Sequence, residues 1–393
     1  MRRKITLLLL SVLILFTSCD LTMKEGPKPK MYLIANGLGY QGLYGTSLEN
    51  DDGHVVPLND TKGIVYQFME LCKAAGNEYE IIWYTDDLER SGRTVNDTGR
   101  FAFTHYSSRQ EGPTGPAVHI AERHGLGNEL ELNPSAFEEA FFSEIESMWE
   151  EAPTSNDLML FYFSGHGIDS LSDAVEGGPA LFYSSTDMLY SDGEERPTLV
   201  DFVALNYGIL FRHMDEYPCR QLFIIDCCYS GASIENRSEF LPRDDNELGY
   251  TLGFLEHYQG NVRNDLYSAF LIDVVFMDSW KHTFSGTYGK PRRMVINAST
   301  YAQQSLNADA YLDEPGILNY GGFTYRLLKY LGYEITSDPQ YDSAQVPYDL
   351  MGQAVTATGM MNSVFDNISF SLKEQSTPNM TRSSYDMLIW DLR

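Results

Sequence analysis

The sequence predicts an α/β fold, a layered sandwich around a mostly parallel sheet, and three observations predict it. Continuous apolar runs such as Leu158 to Phe163 and Gln221 to Ile225 read as short strands buried on both faces. Longer stretches between the runs carry apolar residues at helical spacing. Gly, Asn-Gly and Pro signals separate the two kinds of segment, and strands alternating with helices build parallel sheets.

Taken in order, Met1-Arg2-Arg3-Lys4 is a positive leader, Ile5 to Phe16 is an apolar stretch, and Thr17-Ser18-Cys19 supplies small residues at a cleavage point. Residues 1–18 read as a secretory signal peptide. The stretch is shorter than the roughly 20 apolar residues needed to cross a bilayer core, so a retained anchor helix is the weaker alternative. Residues 19–30, with Gly26-Pro27-Lys28-Pro29-Lys30, read as an extended tether. Met31 to Ala35, closed by Asn36-Gly37, predicts a first buried strand. Asp60 can cap a helix that shows Ile64, Phe68, Leu71 and Ala75 on one face and ends at Gly76. Tyr79 to Thr85 predicts a second strand, and residues 86–133, rich in Gly, Arg, Asn and Thr, read as an insertion of loops. Asn133-Pro134 opens a helix with Phe137, Phe141, Ile145 and Met148 on its buried side. After the strand at Leu158 to Phe163, Thr198 to Met214 reads as another helix and Gln221 to Ile225 as a fourth strand. Residues 232–291 carry mixed signals, and Arg293 to Asn297 is a further strand.

Composition excludes several classes. The 393 residues include 28 Lys plus Arg against 55 Asp plus Glu, a net charge of -27, and 43% are hydrophobic. A disordered chain, a coiled coil and a multi-span membrane protein do not fit that balance. So acidic a chain, with no basic stripe, repels a phosphate backbone, so nucleic acid is not expected as a partner, and basic peptides or proteins are easier partners for it. The five cysteines, at 19, 72, 219, 227 and 228, are too few and too uneven for a disulfide scaffold. Cys72, on the buried helix face, and Cys219, after Pro218, read as structural.

In open α/β sheets ligands bind beyond the carboxyl ends of the strands. Two such ends carry chemistry: Ser164-Gly165-His166-Gly167 and Asp226-Cys227-Cys228-Tyr229-Ser230-Gly231. Glycines flanking His166 allow backbone and substrate to approach closely. A thiol and an imidazole at one sheet edge are the parts needed for acyl transfer, with the imidazole drawing off the thiol proton and later protonating the leaving amine. Two other readings of these residues are weaker. A zinc site at His166, Asp226, Cys227 and Cys228 lacks a Cys-x-x-Cys or second His at ligand spacing, so no metal is expected. Ser164 or Ser230 as a serine nucleophile lacks the Gly-x-Ser-x-Gly elbow.

With these motifs in view, the chain resembles the caspase-like superfamily of cysteine peptidases, and within it the metacaspases and their bacterial relatives. That family pairs a strand ending in Ser-Gly-His-Gly with a later strand ending in Asp-x-Cys-x-Ser-Gly, matched by Ser164 to Gly167 and Asp226 to Gly231. Weaker matches are Ala35-Asn36 in the opening strand, Asn59-Asp60 at the first helix, Gly322 to Leu328 in the last helix, and Gln375-Ser376-Thr377-Pro378. The resemblance implies a three-layer sandwich over residues 31–393, divided into a large-subunit-like part (31–231), a linker or insertion (232–291) and a small-subunit-like part (292–393). It implies Cys228 as nucleophile, His166 as general base and acid, and the backbone N–H groups of Gly167 and Cys228 as oxyanion hole. It also implies Asp60, Ser164 and Asp226 as a pocket for a basic side chain. The implied activity is an endopeptidase that cleaves after Arg or Lys and needs no cofactor for its chemistry, with calcium dependence left open. The departures from the family are the insertion at 86–133, the long segment 232–291 and the leader. A binding-only relative of such a scaffold is the alternative from another class. Leu15-Phe16-Thr17-Ser18-Cys19 separately resembles the lipobox of bacterial lipoproteins, with Phe16 where Leu is usual. It implies lipid on Cys19 and a membrane-anchored protein at the periplasm or cell surface.

Overall fold

The structure, a computed structural model, describes residues 28–39, 55–85, 102–110, 134–168, 180–189, 198–235, 293–299, 303, 305, 319–367, 376–381 and 386–393. Cys19, the leader and almost all of 232–291 lie outside the described residues.

Four apolar runs form the parallel centre of the main sheet: β1 (Met31–Gly37), β2 (Tyr79–Thr85), β4 (Leu158–Ser164) and β8 (Arg220–Asp226). With β9 (Arg293–Asn297) in parallel and two antiparallel edge strands, β3 (Ala102–Ser107) and β11 (Asn379–Met380), the order is β11-β9-β8-β4-β1-β2-β3. Side chains of β1 alternate between two cores, as the two-residue strand period requires. Met31, Leu33 and Ala35 face α1 (Val56–Ala75), α4 (Gly322–Leu331) and α5 (Ala357–Asp366). Tyr32 and Ile34 face α2 (Pro134–Met148) and α3 (Tyr207–Asp215). Helices on both faces of one sheet make three layers, so the α/β sandwich is the observed fold.

Helix α1 keeps its expected buried face, with Ile64, Phe68, Leu71 and Ala75 in the core, and closes on Gly76 at φ 68°, where the backbone N–H returns to Cys72 and Lys73 carbonyls. Its start differs from expectation. The helix begins at Val56 with Pro57 in its first turn, so Asp60 lies inside it and does not cap it. Three further expectations are corrected. The segment 198–214 is strand β7 (Thr198–Asn206) followed by α3, because the Asn206 side chain caps the later helix by accepting from Gly208 N–H at 2.7 Å. β7 pairs with β6 (Ala180–Leu189), which also pairs with the two-residue β5 (Gly167–Ile168), in a second, antiparallel sheet. Within 86–133, residues 102–107 are not loop but the edge strand β3. The helix at Gly322 is not the last, since α5 follows it, flanked by the small sheet of β10 (Ala354–Thr356) and β12 (Leu388–Asp391).

The amino edge of the sheet is closed by a buried ion pair. Lys30 Nζ bonds the Glu80 carboxylate, which is fully buried. His105 Nε2 lies 3.4 Å from Glu80 Oε2, and Glu150 N–H donates to the same oxygen at 3.0 Å. Burial pushes the Glu80 carboxyl up, but the bonds from His105, Lys30 and Glu150 outweigh it and hold the group below its ordinary value.

Candidate active site

At the opposite, carboxyl edge the strand register brings Gly37, Ser164 and Asp226 level with one another. Chain segments leaving β4 and β8 therefore emerge side by side. Gly165 N–H donates to the Asp226 carbonyl at 3.2 Å, and a Cβ on Gly167 would overlap the Cys228 carbonyl oxygen and stand 2.9 Å from Cys227 Sγ. His166 is exposed and sits between these two contacts, one residue from each. Gly167 is thus required by the close approach of two strand ends.

The turn after β8 is strained and braced. Tyr229, directly after Cys228, has φ 58°, a left-handed conformation that bulky residues rarely adopt. Its N–H donates to the Gln303 carbonyl at 2.8 Å. Ser299 N–H donates to Ser230 Oγ at 3.1 Å, and Ser299 Oγ to the Cys227 carbonyl at 3.1 Å. The turn separates the two adjacent thiols. Cys227 is buried in the core, with Tyr207 Oη 3.7 Å from its sulfur, while Cys228 is half-buried at the sheet edge. Burial, then the nearby Asp226, push the Cys228 thiol up, against hydrogen bonds from the backbone N–H groups of Ser305 and of Cys228 itself. Cys72 and Cys219 are buried in the core, as expected of structural cysteines.

Behind the thiol lies a pair of buried carboxylates. Asp60 is fully buried; it accepts from Gly321 N–H at 2.9 Å and from Ser164 Oγ at 2.9 Å. Asp226 accepts from Ser305 Oγ at 2.6 Å and from Thr324, through Oγ1 at 2.6 Å and N–H at 3.2 Å. Tyr162 Oη shares the Thr324 hydroxyl at 2.7 Å. A Cβ on Gly321 would stand 2.7 Å from Oδ2 of both aspartates, so the bare backbone of this one residue fills the space between them. All donors to the pair are neutral, and among the described residues no Lys or Arg forms an ion pair with either carboxylate. Burial raises both carboxyls, and Asp226 raises Asp60 further.

The structure thus assembles His166, Gly167, Cys228, Ser164, Asp60 and Asp226 at one edge, while Cys19 lies outside the described residues. Sequence reasoning missed Ser305, Gly321, Thr324 and Tyr162. Tyr162 lies two residues before the Ser-Gly-His motif, inside the apolar strand, and its hydroxyl was the available signal, since a buried phenol needs a partner. Among the described residues no cluster of three or more His, Cys, Asp or Glu is arranged to hold a metal ion.

Comparison with known proteins adds little. No protein-family model matches the chain, and no curated protein matches it. Among solved structures, the crystal structure of protein GSU0716 from Geobacter sulfurreducens is similar at 12% identity with a TM-score of 0.35, covering 91% of this chain and 94% of that one.

Proposed function

We propose that the protein is a cysteine endopeptidase of the caspase-like superfamily that cleaves after Arg or Lys. The observation that carries this reading is the packing of Gly167 on the Cys228 carbonyl, which sets His166 and Cys228 on adjoining strand ends with the buried Asp60 and Asp226 carboxyls behind them.

In this mechanism a basic side chain enters towards Asp60 and Asp226, whose remaining lone pairs bind it through charge-assisted hydrogen bonds. His166 takes the Cys228 thiol proton as sulfur attacks the carbonyl carbon. The tetrahedral oxyanion is held by the N–H groups of Gly167 and Cys228. His166 then gives the proton to the departing amine, the C–N bond breaks, and water hydrolyses the thioester with His166 again acting as base. The chemistry asks for no metal or organic cofactor.

Cys228→Ala and His166→Ala should each abolish hydrolysis of a fluorogenic Arg peptide, while Cys227→Ala keeps most of it. Equal loss in both cysteine variants, with circular dichroism unchanged, would overturn the assignment. A binding-only scaffold is favoured by one observation, the partial burial of the Cys228 thiol. Iodoacetamide separates the two readings, since a working nucleophile reacts far faster at Cys228 than at the buried thiols.

The leader supports a location outside the cytoplasm, with the enzyme anchored through lipid on Cys19. Among the described residues no helix is long and apolar enough to cross a membrane. Retention of detergent partitioning in Cys19→Ser would refute the anchor.

A further inference from the structure

The nucleophile turn takes its shape from a neighbouring segment. The residues that follow β9 run beside it, and Ser299, fully buried, meets the turn on both sides of Cys228. Its hydroxyl donates to the Cys227 carbonyl at 3.1 Å, and its N–H donates to Ser230 Oγ at 3.1 Å. Because the Ser299 hydroxyl proton is used on that carbonyl, Ser230 is the donor in return, with its Oγ 3.2 Å from Ser299 Oγ and 3.3 Å from the Ser299 carbonyl oxygen. Ser299 is itself held in place. Ala298 N–H donates to the Ile225 carbonyl at 3.0 Å, Ser376 Oγ to the Ala298 carbonyl at 3.1 Å, and Asn379 Nδ2 to the Ser299 carbonyl at 2.9 Å. The turn has need of such a brace, since Tyr229 stands at φ 58° directly after the nucleophile. Turn types that differ by rotation of one peptide plane are both common, so the plane before Cys228 has to be selected by its partners.

We propose that Ser299 is a positioning residue of the oxyanion hole, acting through the Cys227–Cys228 peptide. A peptide unit is planar, and in the trans form found here its C=O and N–H point in opposite directions. The hydroxyl that holds the Cys227 carbonyl therefore also sets the direction of the Cys228 N–H, the donor that the peptidase reading assigns to the oxyanion. The same bond has a second effect. It draws electron density onto the carbonyl oxygen and makes the N–H of that peptide a stronger donor, as hydrogen bonds in a chain polarise one another. Both effects are felt when negative charge develops in the transition state, and little in the ground-state complex, where the substrate carbonyl is neutral. Among the described residues the contacts of Ser299 with the turn run to the Cys227 carbonyl and to Ser230, not to the Cys228 sulfur. The intrinsic reactivity of the thiol is therefore not what Ser299 sets.

This inference rests on the peptidase reading for its meaning, and its test separates the two. Ser299→Ala in the full-length protein should lower kcat on a fluorogenic Arg peptide by about ten- to a hundredfold, less than the loss of an oxyanion donor itself, with KM unchanged within about twofold. Affinity for the matching Arg aldehyde, whose carbonyl takes up the Cys228 sulfur and its proton to form a tetrahedral hemithioacetal, should fall by the same factor. Iodoacetamide alkylation of Cys228, in which sulfur displaces iodide from a saturated carbon and no oxyanion forms, should keep its rate. Ser299→Thr keeps the hydroxyl and should recover most of kcat. A general loosening of the turn would slow alkylation and hydrolysis together, and that result, or an unmoved kcat, overturns the inference. If Ser299→Ala does not fold, Ser299→Cys, which keeps the volume and offers only a weak S–H donor, takes its place with the same split expected. The peptide plane is also read apart from catalysis, by nuclear magnetic resonance of the Cys228 amide in protein carrying isotope-labelled cysteine. That resonance should move in Ser299→Ala and return in Ser299→Thr, while those of Cys72 and Cys219 stay. The same pattern in a protein that hydrolyses no peptide would support the hold of Ser299 on the turn and refute the peptidase, whereas an unmoved Cys228 resonance overturns the inference whatever the activity.

Discussion

Replacing Asp60 by Asn should stabilise the folded protein at neutral and higher pH. The Oδ2 atoms of Asp60 and Asp226 both lie 2.7 Å from the point a Cβ on Gly321 would occupy. They cannot be more than about 5.4 Å apart, where two unit charges repel by about 3 kcal/mol at an effective dielectric constant near 20. The Asp60→Asn substitution removes one charge and keeps the geometry: the amide oxygen accepts from Gly321 N–H, and the amide nitrogen donates to Ser164 Oγ in a reversed bond. The pH dependence follows from the direction of the shifts. Both carboxyls are raised, so their contribution to folding is full below the unfolded carboxyl value and is lost as pH rises through the folded values. Urea unfolding of the two proteins between about pH 4 and pH 8 should show curves that coincide at the acid end and separate by up to about 3 kcal/mol at the upper end, with the variant the more stable. Cleavage of Arg peptides should fall by about ten- to a hundredfold in kcat/KM in the same variant, the value of one charge-assisted contact. A variant that is less stable than wild type at pH 8, or a gap that does not change with pH, would refute the reasoning.

Two further substitutions test other parts of the structure. Gly167→Ala puts a methyl group into the Cys228 carbonyl, so the two strand ends must part; the expected cost is about 1–3 kcal/mol in urea unfolding, with peptide hydrolysis reduced at least about a hundredfold by the misplaced pair, and full activity would show that the two loops need not touch. Glu80→Gln leaves the largely buried Lys30 ammonium with only the exposed Glu151 carboxylate at 3.8 Å and should cost about 1–3 kcal/mol at neutral pH. Because the Glu80 carboxyl is held below its ordinary value, this loss should be full above the unfolded carboxyl value and fade as pH falls through the folded value; a deficit that persists undiminished in acid would contradict the ion-pair account.

What could be read from sequence follows physical lines. Strands buried on both faces, such as β4 and β8, announce themselves as unbroken apolar runs, and the parallel sheet follows from their alternation with helices. The motif residues were visible because Ser164 to Gly167 and Asp226 to Gly231 lie directly after those runs. β7 was missed because its apolar residues Leu199, Phe202, Val203 and Leu205 also fit a helical stripe, and the deciding feature was the Asn206 cap at the true helix start. β3 was hidden in a polar stretch, as a short edge strand can be. Asp60 looked like a cap because acidic residues favour helix starts, yet its partners are Gly321 and Ser164, remote in sequence. Ser305 carries no local pattern, and Thr324 stands only within the Gly322 to Leu328 match, where nothing marks its hydroxyl; only the folded topology brings them to Asp226.

The most direct test of the account is the kcat/KM of the wild-type protein on matched fluorogenic peptides that differ only in Arg, Lys, Asn or Asp before the cleaved bond. The account predicts hydrolysis of the Arg and Lys peptides at least about a hundredfold faster than of the Asp peptide, since the buried carboxylates attract one and repel the other, and loss of that ratio in Asp226→Asn. Comparable rates on Arg and Asp peptides would contradict it.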